Sequence, residues 1–348
     1  MLSELYESTI KNKERIIQSI EELEIDPGEV HGFWNTGSLD KDLDAVVGAE
    51  DGSINRREFK GSILYAVDAE ALIFDGKTLN STPLGEVGVF SRQPFIENRL
   101  RLYMSLYEFK ASLKSLEECN PELFLLDGSL ISELVRSLIP ASYIPPEKRR
   151  MIEREYLPKI KSAYSCEEIC VTRFRDGIEL NMESDIMVDP HIYLEYMEYL
   201  LSIQQLLRYN PVGISKTASG SEYFSSDLPD IILFEKLTKS EGYSKPMLVS
   251  IDKALDRLPI THNFFDDLEF TIFYARLEDN KGILKFEVPG KVRESEIIHI
   301  LSILKAISTE GYPYLLKKAH NDVVITNRDM DQISGMLGIF EKTGREIL

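Results

Sequence analysis

Four consecutive apolar residues, Leu123-Phe124-Leu125-Leu126, run directly into Asp127-Gly128-Ser129. A strand with one face in water alternates apolar and polar side chains. An unbroken apolar run this short therefore predicts a strand buried on both faces, at the centre of a sheet covered by helices. The flanking chain must supply its neighbours and its cover. Residues 93–121 carry a long helical pattern: Gln93-Pro94 opens it, Leu102, Leu106, Phe109, Leu113 and Leu116 recur at intervals of four and three, and Asn120-Pro121 stops it. Ahead of that helix, residues 45–49 and 61–75 are apolar runs suited to extended structure. Strands alternating with a helix in this way place the chain in the α/β class.

The remaining segments extend the same plan. Residues 2–23 have leucines and isoleucines near helical spacing, ended by Asp26-Pro27-Gly28. Residues 145–207 mix charged and long aliphatic side chains and read as largely helical, an insertion between sheet elements. Residues 212–216 suit a short strand, and residues 271–288 a hairpin turning at Asp279-Asn280-Lys281-Gly282. A helix over 294–308, an extended piece over 312–326 and an amphipathic helix from about 329 complete the chain. No solenoid repeat or low-complexity linker divides it. The expectation is one α/β domain: an N-terminal helix (about 1–25), a core (about 40–140 and 210–348) and a helical insertion (about 145–207).

Composition narrows the function classes. With 43% hydrophobic residues in 348, the chain can bury a sizeable core. A net charge of −18 argues against a sequence-independent DNA coat, because phosphate neutralisation needs surplus Lys and Arg. That count is an average, and a local basic strip or a partner can still hold nucleic acid. The cysteines, Cys119, Cys166 and Cys170, have no paired zinc spacing, and the first residues, MLSELYESTIKNKERIIQSIEELEI, lack the apolar stretch of a signal peptide or anchor. A soluble protein of the reducing cytoplasm is expected, with no membrane partner.

The chemistry concentrates in a repeated tripeptide. Asp51-Gly52-Ser53 and Asp127-Gly128-Ser129 each follow an apolar strand. One Asp-Gly-Ser is ordinary turn chemistry. Two of them flanking a strand–helix–strand unit place carboxylates at the carboxyl ends of neighbouring strands, where α/β sheets gather ligands, and both can converge on a cation. Each glycine is expected to let the backbone turn away and leave room for substrate. Glu108 lies beside the apolar stripe of the intervening helix, near Met104, Ser105, Ala111, Ser112 and Ser115. A carboxylate turned inward there is costly to desolvate without a compensating cation. The plainer alternative is a solvated glutamate.

An Asp ending the first strand, a Glu on the first helix and an Asp ending a later strand resemble the metal-binding carboxylates of ribonuclease H-like nucleases. The ordered set AEDGSINRREFKGSILYAVDAEAL (49–72), the helix with Glu108, PELFLLDGSL (121–130) and GYPYLLKKAH (311–320) is similar to the NurA nucleases of archaea. The resemblance implies a ribonuclease H-like mixed sheet flanked by helices. It also implies manganese or magnesium, two ions in all, held by Asp51, Glu108 and Asp127, with Tyr312 and His320 completing the active site. Hard divalent cations prefer oxygen ligands, and an ion pair can stabilise both attacking and leaving oxygens of a phosphodiester. His320 as a metal ligand or as a proton donor stays open. The implied activity is 5′ to 3′ exonuclease and single-strand endonuclease action in DNA end resection and double-strand break repair. The implied partners are DNA, a second copy of the chain and a hexameric HerA-type translocase.

Several groups stand outside that set. Lys216, at the end of its strand, is a candidate phosphate contact or a plain solvated lysine. Asp68 and Glu70 share one side of a strand, and Asp230 in Asp-Leu-Pro-Asp is also an ordinary helix start. Residues 147–161 hold six basic against three acidic side chains, a DNA contact or a solvated helix face. Two other classes of function compete: a non-catalytic ribonuclease H-like module that binds nucleic acid or a partner, and a phosphotransfer enzyme, which lacks a Gly-rich Walker loop here.

Overall fold

The structure is a computed structural model that describes residues 3–21, 27–41, 44–172, 189 and 191–339. The first half of the chain runs α1 (Ser3–Glu21), α2 (Pro27–Gly32), β1 (Trp34–Thr36), β2 (Val47–Glu58), β3 (Ser62–Phe74), β4 (Leu79–Ser91), α3 (Ile96–Glu118) and β5 (Leu123–Asp127). Helices α4 (Leu130–Leu134), α5 (Ile139–Ser142), α6 (Pro146–Ala163) and α7 (His191–Leu206) follow. Then come β6 (Val212–Ser215), α8 (Asp230–Leu237), β7 (Gly242–Ser244), β8 (Met247–Ser250), α9 (Asp252–Leu255), β9 (Glu269–Arg276) and β10 (Leu284–Pro289). The chain closes with α10 (Glu294–Ala306), β11 (Ser308–Thr309), β12 (Tyr312–Pro313), α11 (Tyr314–Val323) and α12 (Asn327–Met336).

One mixed sheet organises these parts, in the order β1-β7-β9-β10-β6-β5-β2-β3-β4 with β8 beside β9. The apolar strand β5 is central, parallel to both β2 and β6. Its alternate side chains enter different cores: Phe124 and Leu126 join the cluster under α3 and α7, while Leu123 and Leu125 join the one under α10 and α11. An unbroken apolar sequence is what a strand with two dry faces requires. The 271–288 hairpin, the 212–216 strand and the helix from 294 all form. Residues 173–188 and 190 of the helical stretch read at 145–207 lie outside the described residues. Among the described residues, no helix is long and apolar enough to cross a membrane.

Two readings need correction. Asp51 does not end a strand: β2 continues to Glu58, hydrogen-bonded to β3 along its whole length. What ends near Asp51 is the pairing with β5, which stops at Glu50. Residues 51–58 are thus an open sheet edge. Residues 312–326 are not extended, because only Tyr312–Pro313 pair, with β11, and Tyr314–Val323 is helix. Leu315, Leu316, Ala319 and Val323 fall on one face of that helix and are all buried, so packing against β2 outweighs the β-branched run that follows. Burial of each leucine contributes about 1.5–3 kcal/mol toward holding α11, and therefore His320, on the sheet. Strands β1, β4, β7 and β8 were not read from the sequence, and all lie at or near the margins of the sheet.

A candidate metal centre

The site forms where β5 stops and β2 runs on alone. Asp127 is the last residue of β5. Gly128, at φ +123°, turns the chain out of the sheet, and its N–H bonds the Ile214 carbonyl at 2.8 Å. Ser129 then caps α4, accepting from Ser132 N–H at 3.0 Å, and its hydroxyl donates to the fully buried Glu287 at 2.9 Å. The second Asp-Gly-Ser is therefore turn and cap chemistry that also fixes a carboxylate at a strand end.

The first Asp-Gly-Ser works differently. Gly52 sits in a continuing strand, and a Cβ there would lie 2.5 Å from Cγ of Glu108. The glycine makes room for the glutamate of α3 rather than turning the chain. Because strand side chains alternate, Asp51 points to the α11 face while Glu50 and Gly52 face α3.

On the α11 face, ligand atoms of Asp51, Asp127 and His320 all lie within 4.8 Å of one another. His320 Nδ1 is 2.7 Å from Asp51 Oδ2, and Gly52 N–H donates to Asp51 Oδ1 at 2.9 Å. Lys216 Nζ is 2.9 Å from Asp127 Oδ2 and 4.7 Å from the centre of the Tyr312 ring, whose hydroxyl points at Asp127 Oδ1 from 3.4 Å. Burial and the Asp127 charge raise the Asp51 pKa above the ordinary carboxylate value. Burial, then Asp127, pushes the Tyr312 phenol well up.

On the α3 face, Glu108 is half-buried, and burial followed by the charges of Glu133 and Asp51 raises its pKa to about 8. Glu50 was not singled out in the sequence. It is 3% exposed, its Oε2 has no hydrogen-bond partner, and burial with the charges of Glu108 and Asp51 raises its pKa well above normal. The available signal was its place one residue before Asp51, on the face that β2 turns to the core.

All of Asp51, Glu108, Asp127, Tyr312, His320 and Lys216 thus gather at one end of β5. Glu70 is the cross-strand partner of Asp51 and stands beside it, and Asp68 stands opposite Ser53. Asp230 does not join them: it accepts from Tyr223 N–H at 2.9 Å and so ties down the loop before its own helix. In the basic stretch on α6, Arg154 is exposed and Lys159 pairs with Glu155 at 3.3 Å, the behaviour of a solvated face.

A mixed sheet flanked by helices, with carboxylates at the end of its central strand, on the neighbouring strand and on the covering helix, defines the α/β class of the fold. Within that class the chain belongs to the NurA family, whose NurA domain matches residues 45–325. It is 29% identical to a probable DNA double-strand break repair nuclease NurA of Methanocaldococcus jannaschii, over 99% of this chain and 92% of that protein. The crystal structure of the NurA nuclease from Sulfolobus solfataricus superposes with a TM-score of 0.74 at 24% identity, covering 97% of each chain. A NurA crystallised with dAMP and manganese gives a TM-score of 0.65 at 16% identity, over 100% of this chain and 99% of that one.

Proposed function

We propose that the chain is a manganese- or magnesium-dependent DNA nuclease that hydrolyses phosphodiesters at the Asp51–Asp127 centre. The observation that carries this reading is the convergence of Asp51, Asp127 and His320 over a buried Glu50 with an orphaned oxygen. Oxygen-rich donors with one imidazole suit a hard divalent cation, and a carboxylate left buried and unpaired is what such a cation would satisfy. Asp51 and Asp127 are the primary ligands, with Glu108 and Glu50 close behind them. A bound ion would supply charge for the phosphoryl oxygens and an activated water. The chain's own groups do the rest. Asp51 holds the imidazole of His320 by Nδ1, and Nε2, without a partner among the described residues, is left for a ligand or for the leaving oxygen. Lys216 neutralises Asp127 and is placed to take a phosphate oxygen once Asp127 is engaged.

The finer reading rests on the family. Relatives carrying the name of double-strand break repair nuclease support a role in processing DNA ends. The 5′ to 3′ direction, the single-strand endonuclease activity, the homodimer, the HerA-type translocase, two ions rather than one and a cytoplasmic location belong to the same proposal. So does the division into one nuclease domain with a helical insertion. An acidic nuclease of net charge −18 suits a partner that supplies the grip on DNA. The test is digestion of end-labelled DNA with manganese or with chelator, for wild type and Asp51→Asn. Cleavage that needs manganese and falls at least about 100-fold in the variant is expected, since even outer partners of a metal site cost 10–100-fold. Metal-independent cleavage, or full activity in a folded Asp51→Asn protein, contradicts it.

A further inference from the structure

A cleft of about 960 Å³ opens beside the carboxylate site, along the unpaired edge of β2. Its walls carry Arg56 and Arg57 of β2, Arg92 beyond β4 and Arg101 of α3. We infer that this cleft holds the sugar-phosphate backbone of a single nucleic-acid strand and leads it to the Asp51–Asp127 centre. The inference rests on the nuclease reading above and adds to it the path of the substrate.

Three observations converge. First, α3 opens on a single line. From Arg99 to Leu113 every residue is buried except Arg101, Met104 and Glu108, spaced by three and four and hence stacked on one helix face. Arg101 and Met104 line the cleft, and the line ends at Glu108 in the site. Arg101 stands about 10 Å from Glu108 along the helix axis. Second, β2 runs the same way. Gly52 touches Glu108, and Ile54 and Arg56 follow on that face. On the open edge, the N–H groups of Gly52 and Arg56 are bonded only by the side chains of Asp51 and Asn55, at 2.9 and 2.7 Å.

Third, the acids that hold the arginines are themselves exposed. Arg56 pairs with Glu97 and, at 3.5 Å, with Glu58; Arg57, itself 20% exposed, pairs with Asp331; Arg92 pairs with Glu58 at 3.0 Å and donates to the Phe59 carbonyl at 2.8 Å. Ion pairs to exposed acids are worth about 0–1 kcal/mol each, so a phosphate can compete for the guanidinium groups. Arg101 is exposed and makes no ion pair among the described residues. In a chain of net charge −18, a cleft lined by four arginines against Glu58, Glu97 and Asp331 is locally net positive. The cleft also has an apolar floor of Ile54, Leu100 and Met104, which unpaired bases can cover and a duplex, with its bases stacked inside, cannot use.

The test separates the path from the chemistry. A fluorescent single-stranded oligonucleotide is titrated with protein in chelator at several salt concentrations. For single strands the slope of log affinity against log salt is about 0.7 per phosphate neutralised. Arg101→Gln should reduce that slope by about 0.7 and the Arg56→Gln, Arg101→Gln pair by about 1.4. Arg154→Gln, which removes the same charge from α6, should leave it where it is. A duplex of the same sequence should bind more weakly. An unchanged slope in the cleft variants, or an equal loss in Arg154→Gln, overturns the cleft as the path. Equal affinity for duplex overturns its assignment to a single strand. Failure of the nuclease reading would show elsewhere, as no manganese-dependent cleavage by the wild type, while these binding slopes would stand on their own.

Discussion

Helix α3 meets buried carboxylates on two sides, and the chain treats them in opposite ways. Against α7, Arg99 grips Glu195 with two hydrogen bonds of 2.8 and 2.6 Å, and Lys110 sits 2.7 Å from Glu198. All four side chains are almost wholly buried. Glu198 also accepts the N–H groups of Cys170 and Val171, at 2.8 and 3.0 Å. Each acid there has its own cation and a full set of donors. Against β2, by contrast, Glu50, Asp51, Glu108 and Asp127 share Lys216, which reaches only Asp127, and His320, which reaches only Asp51. Arg136 is near but pairs with Glu133. The same fold can supply internal counter-charges, and it leaves these four carboxylates short of them. A cation from solution is the physical way to complete that site.

The largest expected effect comes from breaking the self-sufficient side. Glu198→Ala leaves Lys110, still bonded to the Ser165 carbonyl at 2.6 Å, buried without a counter-charge and two N–H groups unpaired, and should cost about 3–5 kcal/mol, read by denaturant unfolding. Glu50→Gln at the other side should cost far less in chelator, because no cation partners the Glu50 carboxylate. A similar loss in both variants would erase the distinction between the two regions.

The next effect is on turnover. His320→Ala should lower kcat about 100-fold, within the range for a positioned acid–base group, with a much smaller change in DNA affinity. Single-turnover cleavage at saturating DNA separates the two. A pure loss of binding would move His320 out of the reacting centre.

A smaller effect is a pH dependence of opposite sign to the usual one. Asp51, Glu50 and Glu108 bind their protons more tightly folded than unfolded, so they favour the native state while protonated. That contribution is complete below the ordinary carboxylate pKa of about 4. It is lost as pH rises through the raised values, about 8 for Glu108. In chelator, stability should therefore decline between about pH 5 and pH 8. Saturating manganese should flatten the decline, and a metal-free protein that gains stability across that window would show the acids to be compensated already.

The same contrast explains what could be read from the sequence. The central strand, the long helix α3 and the 271–288 hairpin were legible, because runs of side chains with strong periodicity declare them, whereas the grouping of Asp51, Glu108 and Asp127 was implied by the family resemblance more than by their spacing. Asp51 as a strand end was misread because Gly-Ser after Asp is good turn chemistry. Only packing reveals that Gly52 is there to admit Glu108. Helix α11 does not show in the sequence, because the buried line from Leu315 to Val323 depends on the sheet beneath it while Val323-Val324-Ile325 favours strand locally. Glu50 escaped notice because a glutamate gives no sign of burial until its neighbours are placed. The edge strands are short, and each is decided by its partner rather than by its own residues.

The central claim is that the carboxylates at the end of β5 lack a cation that solution must provide. Thermal melts of wild type and Asp51→Asn, in chelator and across a manganese titration, test it most directly. The wild type should gain about 2.7 kcal/mol at a hundredfold excess of manganese over its dissociation constant, seen as a rising Tm. Asp51→Asn, relieved of one charge, should melt at or above the wild type in chelator and gain little from manganese. An equal manganese response in both proteins, or none in the wild type, would contradict the claim.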